Sequence, residues 1–379
     1  MSYYLNEKHE FVRRMARQFA QEELAPRAAE LDETGEYPAD LVQKAAALGI
    51  LGAPVAKEYG GAGMDYVSAS IIIEEIGRAC GSMAMILAPH ISLGCNLLEM
   101  VGTEEQKRKY LVPAARGEVL TAFGLTEPGA GSDSSATRTT AVLEGDQWVL
   151  NGAKCFITNA GVAGTYIVTA KTDKNKGARG ISAFIVEKDT PGFSIGKREK
   201  KMGLHASPNG ELIMRDCRIP RENLLGQANR GFLLFMRALD AGRIVVGAMG
   251  VALVQACLDE CRKFTRERVQ FGQPIGNFQA ISFYLAEMAT ELEAARGLVY
   301  RAAALKDAGK SFSHEAAICK LYASEAGMRA ATRAVQIHGG YGYTRDYPVE
   351  RLMREAKLLE IAEGTSEIQK LVIGAHVVK

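Results

Sequence analysis

The chain lacks the usual sequence marks of nucleotide and metal enzymes. No G-x-G-x-x-G follows a strand pattern and no G-x-x-x-x-G-K-[ST] occurs, so a nicotinamide-binding Rossmann domain or a P-loop is not expected. H-E-x-x-H and G-x-S-x-G are missing too. Cysteines stand at 80, 95, 155, 217, 257, 261 and 319, with no C-x-x-C. Cys257 and Cys261 share a helical face, but two thiols without a His at ligand spacing make a poor zinc site. Reduced, buried cysteines are expected. The net charge, 46 − 44 = +2, is no footprint for nucleic acid. No apolar run approaches the ~20 residues of a membrane span. The opening "MSYYLNEKHEFVRRMARQFAQEE" mixes both charge signs, without the apolar core of a secretory signal and with too many acids for a transit peptide, so a cytoplasmic location is expected.

What is present falls into three textures. Residues 1–120 read as helical: Phe11, Met15, Phe19 and Leu24 recur at helical spacing, Pro26 should interrupt the first helix, and Gly81 and Pro89 should break a later apolar stretch. Thr103-x-x-Gln106 is a capping-box pattern. From 121 to 230, "QWVLNG", "TYIVTAKT", "ISAFIVEK" and "FSIGK" read as strands of an antiparallel sheet or barrel. From 231 to 379 three long alanine-rich helical patterns and shorter C-terminal pieces suit a four-helix bundle that packs against copies of itself. The whole is an α+β chain ordered helical, β, helical.

Five stretches could carry chemistry. In "AFGLTEPGAGSDSSA" small residues let backbone N–H groups approach a flat ring or an anion, with hydroxyls from Thr126 and Ser132; a tight structural loop accounts for it equally well. In "NGAKCFITNAG", Phe156 and Thr158 should share a strand face, a ring beside a hydroxyl, though a lone Phe is more often core. In "RERVQFGQPIGNFQ", Arg268 could grip a pyrophosphate or merely sit at a helix end. In "QIHGGYGYTRDYPVERLMREA" a glycine break offers backbone amides to phosphate or ribose, while His338 reads as helix capping. In "IAEGTSE", Ser366-x-x-Gln369 predicts that Ser366 caps the last helix. That leaves Glu363 unexplained: it either serves the helix dipole or is a base held out of the helix.

Together the five stretches, in order along essentially the whole chain, resemble the acyl-CoA dehydrogenase family; "GLTEPGAGSD" and "QIHGGYGYTRDYPVERLMREAK" look like its two signature regions. The resemblance implies an N-terminal helical domain, a middle antiparallel β-domain and a C-terminal four-helix bundle, FAD as cofactor, an acyl-CoA substrate, a homotetramer, and electron-transfer flavoprotein as acceptor. It implies that Phe123, Leu125, Thr126, Gly131 and Ser132 form a flavin loop, with Ser132 also near the CoA pyrophosphate. Phe156 and Thr158 would lie beside the isoalloxazine. Arg268, Phe271 and Gln279, with Gln336, Gly339 and Gly340, would reach the FAD of a neighbouring subunit. Thr365 and Glu367 would lie near the pyrophosphate and adenosine, Asp240 and Arg243 near CoA, and Ala362 and Gly364 at the acyl group. Glu363 would be the catalytic base.

Some branches of the family carry the base at the position of Gly242 and lack Glu at 363; here the pattern is the reverse. Two departures stand out. Phe156 replaces a frequent Trp, and Ala362 replaces a frequent Tyr beside the base, which should enlarge the acyl pocket for a branched or cyclic group as well as short straight chains. An enoyl-CoA reductase running in reverse, an acyl-CoA oxidase and a non-enzymatic flavoprotein scaffold are the alternatives to dehydrogenation.

Overall fold

The computed structural model describes residues 5–378; residues 1–4 and 379, the outermost ends of the first and last expected segments, lie outside the described residues. The first helix, Glu7–Phe19, starts at Asn6, whose side chain accepts from the N–H groups of Lys8 and His9 while His9 Nδ1 accepts from the Asn6 N–H. This reciprocal cap satisfies donors that a helix start would leave bare. The expected interruption at Pro26 is a tightening to a 3-10 turn, Ala25–Arg27, and the Thr103/Gln106 capping box is formed.

Two expectations fail here. Pro89 does not break its helix: the chain stays helical from Gly81 to Val101, with a wide π turn at His90–Cys95 that absorbs the missing donor. That helix and Gly231–Glu267 are also apolar and long enough to cross a membrane, against the expectation that no apolar run approaches such a length. Both are mostly buried inside the protein, so their apolar surface already has a partner.

The middle strands are β1 (Thr121–Gly124), β2 (Thr140–Glu144), β3 (Gln147–Thr158), β4 (Thr165–Lys171), β5 (Ile181–Glu187), β6 (Phe193–Arg198), β7 (Asn209–Pro220) and β8 (Leu224–Leu225). Their order is β6-β7-β3-β2-β4-β5-β8, with β1 also on β4. The pairing is antiparallel except β1 with β4 and β2 with β4, which are parallel. Strand β3 is bulged: its register with β7 shifts between Lys154 and Ile157. One extra residue there re-aims the side chains that follow.

The helix Gly231–Glu267 ties the sheet to the bundle. Its 37 residues extend about 55 Å at 1.5 Å per residue. At its start, a Cβ on Gly231 would fall 2.4 Å from the Ala183 nitrogen of β5. Further along it lies against Ser313–His338, where a Cβ on Gly250 would come 2.6 Å from the Ala323 backbone. Small residues on both helices permit this approach, and the apolar faces they bury each contribute roughly 1.5–3 kcal/mol per large side chain. Helices Gln279–Asp307 and Ser313–His338 and the shorter Val349–Leu359 and Ser366–Val377 complete the C-terminal helical unit. The seven cysteines are free and buried.

Candidate active site

The helix Val349–Leu359 stops at Glu360, and the chain makes a left-handed pair, Glu363 at φ 53° and Gly364 at φ 98°, before helix Ser366–Val377 begins. A non-glycine residue in that region costs about 1–2 kcal/mol, so surrounding contacts must hold it. They do. Lys320 Nζ donates to the Gly364 carbonyl at 2.7 Å, and Gln369 Nε2 donates to the same oxygen at 2.9 Å and to the Glu363 carbonyl at 3.3 Å. The Ser366 N–H closes the turn onto the Glu360 carbonyl at 2.9 Å.

The cap is not Ser366. Thr365 is the N-cap and its Oγ1 accepts from the Ile368 N–H at 3.4 Å, while Ser366 Oγ is enclosed without a partner among the described residues. The sequence pattern was one residue out because Gln369, the expected capping-box partner, is drawn back to the break instead.

Glu363 itself is only half-buried as a residue, but its Oε2 is wholly enclosed and has no hydrogen-bond partner among the described residues. Burial pushes its carboxyl up to about 7, against the opposing pull of Lys320 and Arg243. Its N–H makes no hydrogen bond among the described residues. The carboxylate occupies the space above Gly242, where a Cβ would meet Oε2 at 1.9 Å and Leu93 at 2.9 Å. A side chain at 242 and this placement of Glu363 therefore exclude each other sterically. Arg243, one residue on, is buried and donates to Asp240 Oδ1 at 2.7 Å, which also accepts from Ser313 Oγ at 3.0 Å; Arg243 Nε has no partner among the described residues. Ala362 lies half-buried beside the carboxylate-bearing residue.

A second group forms on the sheet. The Cys155 N–H donates to the Thr126 carbonyl at 2.9 Å, joining the loop after β1 to the bulge in β3. At the bulge Lys154 and Cys155 are both buried, and Phe156 takes φ 59° and stands 64% exposed. Plain alternation is thus interrupted just before Phe156; beyond it Phe156 and half-buried Thr158 flank buried Ile157, as their spacing implies. Gly131 and Ser132 are at the exposed loop tip. Phe123 stacks on Phe235 of the long helix, centroids 4.1 Å apart, and Leu125 is buried in the same cluster.

Three family models cover almost all of the chain: acyl-CoA dehydrogenase N-terminal domain at 6–118, middle domain at 122–217 and C-terminal domain at 229–378. The chain is 50% identical to the short-chain specific acyl-CoA dehydrogenase of Clostridium acetobutylicum over the full length of both. It is 48% identical to acryloyl-CoA reductase (NADH) of Anaerotignum propionicum, over all of this chain and 96% of that one. Among solved structures, a chain described with the electron transferring flavoprotein of Acidaminococcus fermentans matches with a TM-score of 0.99 at 47% identity, covering 100% of both. The chain belongs to the acyl-CoA dehydrogenase family. Its members are FAD-dependent flavin oxidoreductases.

The residues present fit a flavin. An exposed ring held at φ 59°, a hydroxyl two residues on and an open glycine loop offer one flat apolar face with polar edges. The remaining candidates lie at another end of the bundle. Arg268 ends the long helix with its guanidinium over the Tyr341 ring, 5.4 Å from the centroid, and Phe264 stacks on His338 at 4.2 Å. These contacts bring Arg268 to the Gly339–Gly340 break, where Gln336 is exposed and Gly339 has φ 59°. Phe271 is 94% exposed at φ 51°, and Gln279 opens the next helix. A cleft of about 580 Å³ runs beside them, lined by Arg262, Thr265 and Arg266. No hydrogen bond among the described residues links this group to the loop and bulge. Glu367 is exposed in the first turn of the last helix.

Sequence reading missed Lys320, which holds the break, misassigned Gln369 to a capping box, and missed the tie of Lys154 to Glu127. The signal was there in part: Lys320 interrupts the small apolar run "AAICKLYA", a core position for a charge.

Proposed function

We infer that the chain removes the α-proton and β-hydride of a short, branched or cyclic acyl-CoA to give the 2-enoyl-CoA. Glu363 is the base: its Oε2 is unpartnered among the described residues in an enclosed site, and this observation carries the reading. A carboxyl near pH 7 ionises in the physiological range and is a far stronger base than one at ~4.3. The unbonded Glu363 N–H is a donor for the thioester carbonyl, where charge develops as the α-proton leaves. Base and oxyanion donor thus belong to one residue, fixed by Lys320 and Gln369. Bound FAD supplies the acceptor for the β-hydride, at N5. Leu125, Thr126, Gly131, Ser132, Phe156 and Thr158 would hold the flavin, Phe156 and Thr158 against the ring, while Phe123, engaged by Phe235, supports the strand behind it. Thr365 and Glu367 would lie along the pyrophosphate and adenosine. Asp240, half-buried and tied to Ser313, would lie near CoA with Ser132, whereas buried Arg243 acts on the Glu363 charge from below. Ala362 and Gly364 would border the acyl group.

Arg268, Phe271, Gln279, Gln336, Gly339 and Gly340 would reach the FAD of a neighbouring subunit in a homotetramer. The nearly bare Phe271, together with exposed Tyr343, Leu371 and Val378, supports such an assembly. The solved structure from A. fermentans supports electron-transfer flavoprotein as the acceptor. The relative from A. propionicum, an acryloyl-CoA reductase, favours a second reading in which the same site runs towards the saturated acyl-CoA.

The test is anaerobic titration of the yellow protein with a panel of straight, branched and cyclic acyl-CoAs. Bleaching by one class and loss of that bleaching in Glu363→Gln support the reading; near-normal reduction of Glu363→Gln sinks Glu363 as the base. Turnover of straight C4–C6 thioesters alone would sink the enlarged pocket.

A further inference from the structure

Away from Glu363 lies a second buried ion pair that the reaction above does not use. Lys154 is 0% exposed, and its ammonium donates to Glu127 Oε1 at 2.8 Å, Thr169 Oγ1 at 3.0 Å, Thr137 Oγ1 at 3.2 Å and the Leu125 carbonyl at 3.2 Å. Glu127 accepts in addition from the Thr137 hydroxyl, from the Arg138 N–H at 2.5 Å and from the Thr139 N–H at 3.1 Å. All these groups belong to the loop 125–139, to β3 or to β4.

The connectivity is what matters. The loop carrying Leu125, Thr126, Gly131 and Ser132 winds around one ammonium, and that ammonium sits on Lys154, two residues before Phe156. The loop's start is held by Leu125 O, its turn by Glu127, whose N–H and carbonyl also pair with Ala130, and its return by Thr137 and Thr139. Between them the Cys155 N–H reaches Thr126 O. So the two segments assigned to the flavin face are clamped to each other, and the bulge that turns Phe156 outward is anchored on its inner side by the lysine. A buried ammonium survives only when its donors are matched, which gives this clamp direction as well as strength.

We propose that the Lys154–Glu127 pair is a positioning device for the flavin: it sets the distance and tilt between the 125–132 loop and the Phe156–Thr158 ridge, and so the geometry in which the isoalloxazine is held. This rests on the reading of that face as the flavin site. Neither residue is placed in contact with the cofactor.

The experiment uses apoprotein retitrated with FAD, reading the dissociation constant, the visible circular dichroism of the bound flavin and, separately, the Tm of the apoprotein. Lys154→Met should weaken FAD by about tenfold or more and change the flavin dichroism. Thr169→Val, which removes one of four acceptors and keeps the shape, should move both readouts in the same direction by less. Variants that lower the apoprotein Tm but bind FAD with wild-type affinity and dichroism would overturn the proposal. If Lys154→Met does not fold, unchanged values in Thr169→Val do the same. Phe156→Ala separates the failures: altered dichroism there with none in Lys154→Met rejects the pair's role alone, whereas wild-type values in both reject the flavin face and the proposal together.

Discussion

Glu127 and Glu363 make an instructive pair. Each carboxylate is close to a lysine that is fully buried, and burial pulls both ammonium groups down to about 8. Yet the two acids go opposite ways. Burial works against the charge on Glu127, but Lys154 and the Thr137 and Thr139 donors outweigh it and hold the carboxyl at about 2. Glu363 receives no donor at its carboxylate among the described residues, and burial takes it to about 7. The difference is where the lysine points. Lys154 is in contact with its carboxylate, while Lys320 is engaged by the Gly364 carbonyl and acts on Glu363 only through space. A carboxylate bonded on all sides is a structural ion; one held beside a cation without touching it keeps its basicity.

The comparison can be broken experimentally, most severely at Glu363. Glu363→Gln should lower turnover by about a thousandfold while leaving FAD content unchanged, measured by steady-state assay and flavin absorbance. Gly242→Ala puts a methyl where Oε2 now lies, and the displaced base should cost about a hundredfold in kcat with little change in FAD binding. Ala362→Tyr should reduce kcat/KM for branched or cyclic thioesters by about tenfold relative to straight short chains; equal losses across the panel would remove Ala362 from specificity.

Lys320→Met removes a cation that favours the Glu363 carboxylate, so the pH profile of kcat/KM, rising through about 7 in the wild type, should move to higher pH. The smallest effect is on stability. Glu363 has a folded pKa above its unfolded value, so the folded state holds the extra proton between about 4.5 and 7. The contribution of Glu363 to stability therefore falls as pH rises through that window, by about 1–2 kcal/mol once its partial exposure is allowed for. Glu127 runs the other way: its contribution is present above about 4.5 and is lost as pH falls towards 2. Buried Glu355, also pushed up to about 7, acts in the same direction as Glu363 and buried His90, pulled down to about 4, in the opposite one, and both remain in the variants. Denaturant unfolding from pH 4 to 8 should therefore show the stability of the wild type declining relative to Glu363→Gln as pH rises, with no such relative decline against Glu127→Gln.

Much of this was legible before any coordinates. The helical repeat of residues 7–19, the short β-branched runs of the sheet and the three long alanine-rich helices follow from periodicity, because side-chain burial repeats with the local backbone. The break at Gly364 was visible too. Less legible were features set by distant residues. Pro89 looked like a stop, but the chain continues from the α-helix Gly81–Pro89 into the π turn His90–Cys95. The cap moved from Ser366 to Thr365, because Gln369 was claimed by the break. Alternation was interrupted at Lys154–Phe156, because the loop from Thr126 inserts its carbonyl at Cys155.

The sequence alone determined which elements form, their order, the family and the candidate base, since these depend on local pattern and on motifs read residue by residue. Tertiary structure decided what that base is. Nothing in "IAEGTSE" says that Glu363 will be enclosed over Gly242, that its lysine neighbour will bind a carbonyl instead, or that an identical side chain at 127 will be a fixed anion. Those outcomes depend on desolvation and on partners from helices and strands far away in the chain, and acidity is a property of that assembled environment rather than of the residue.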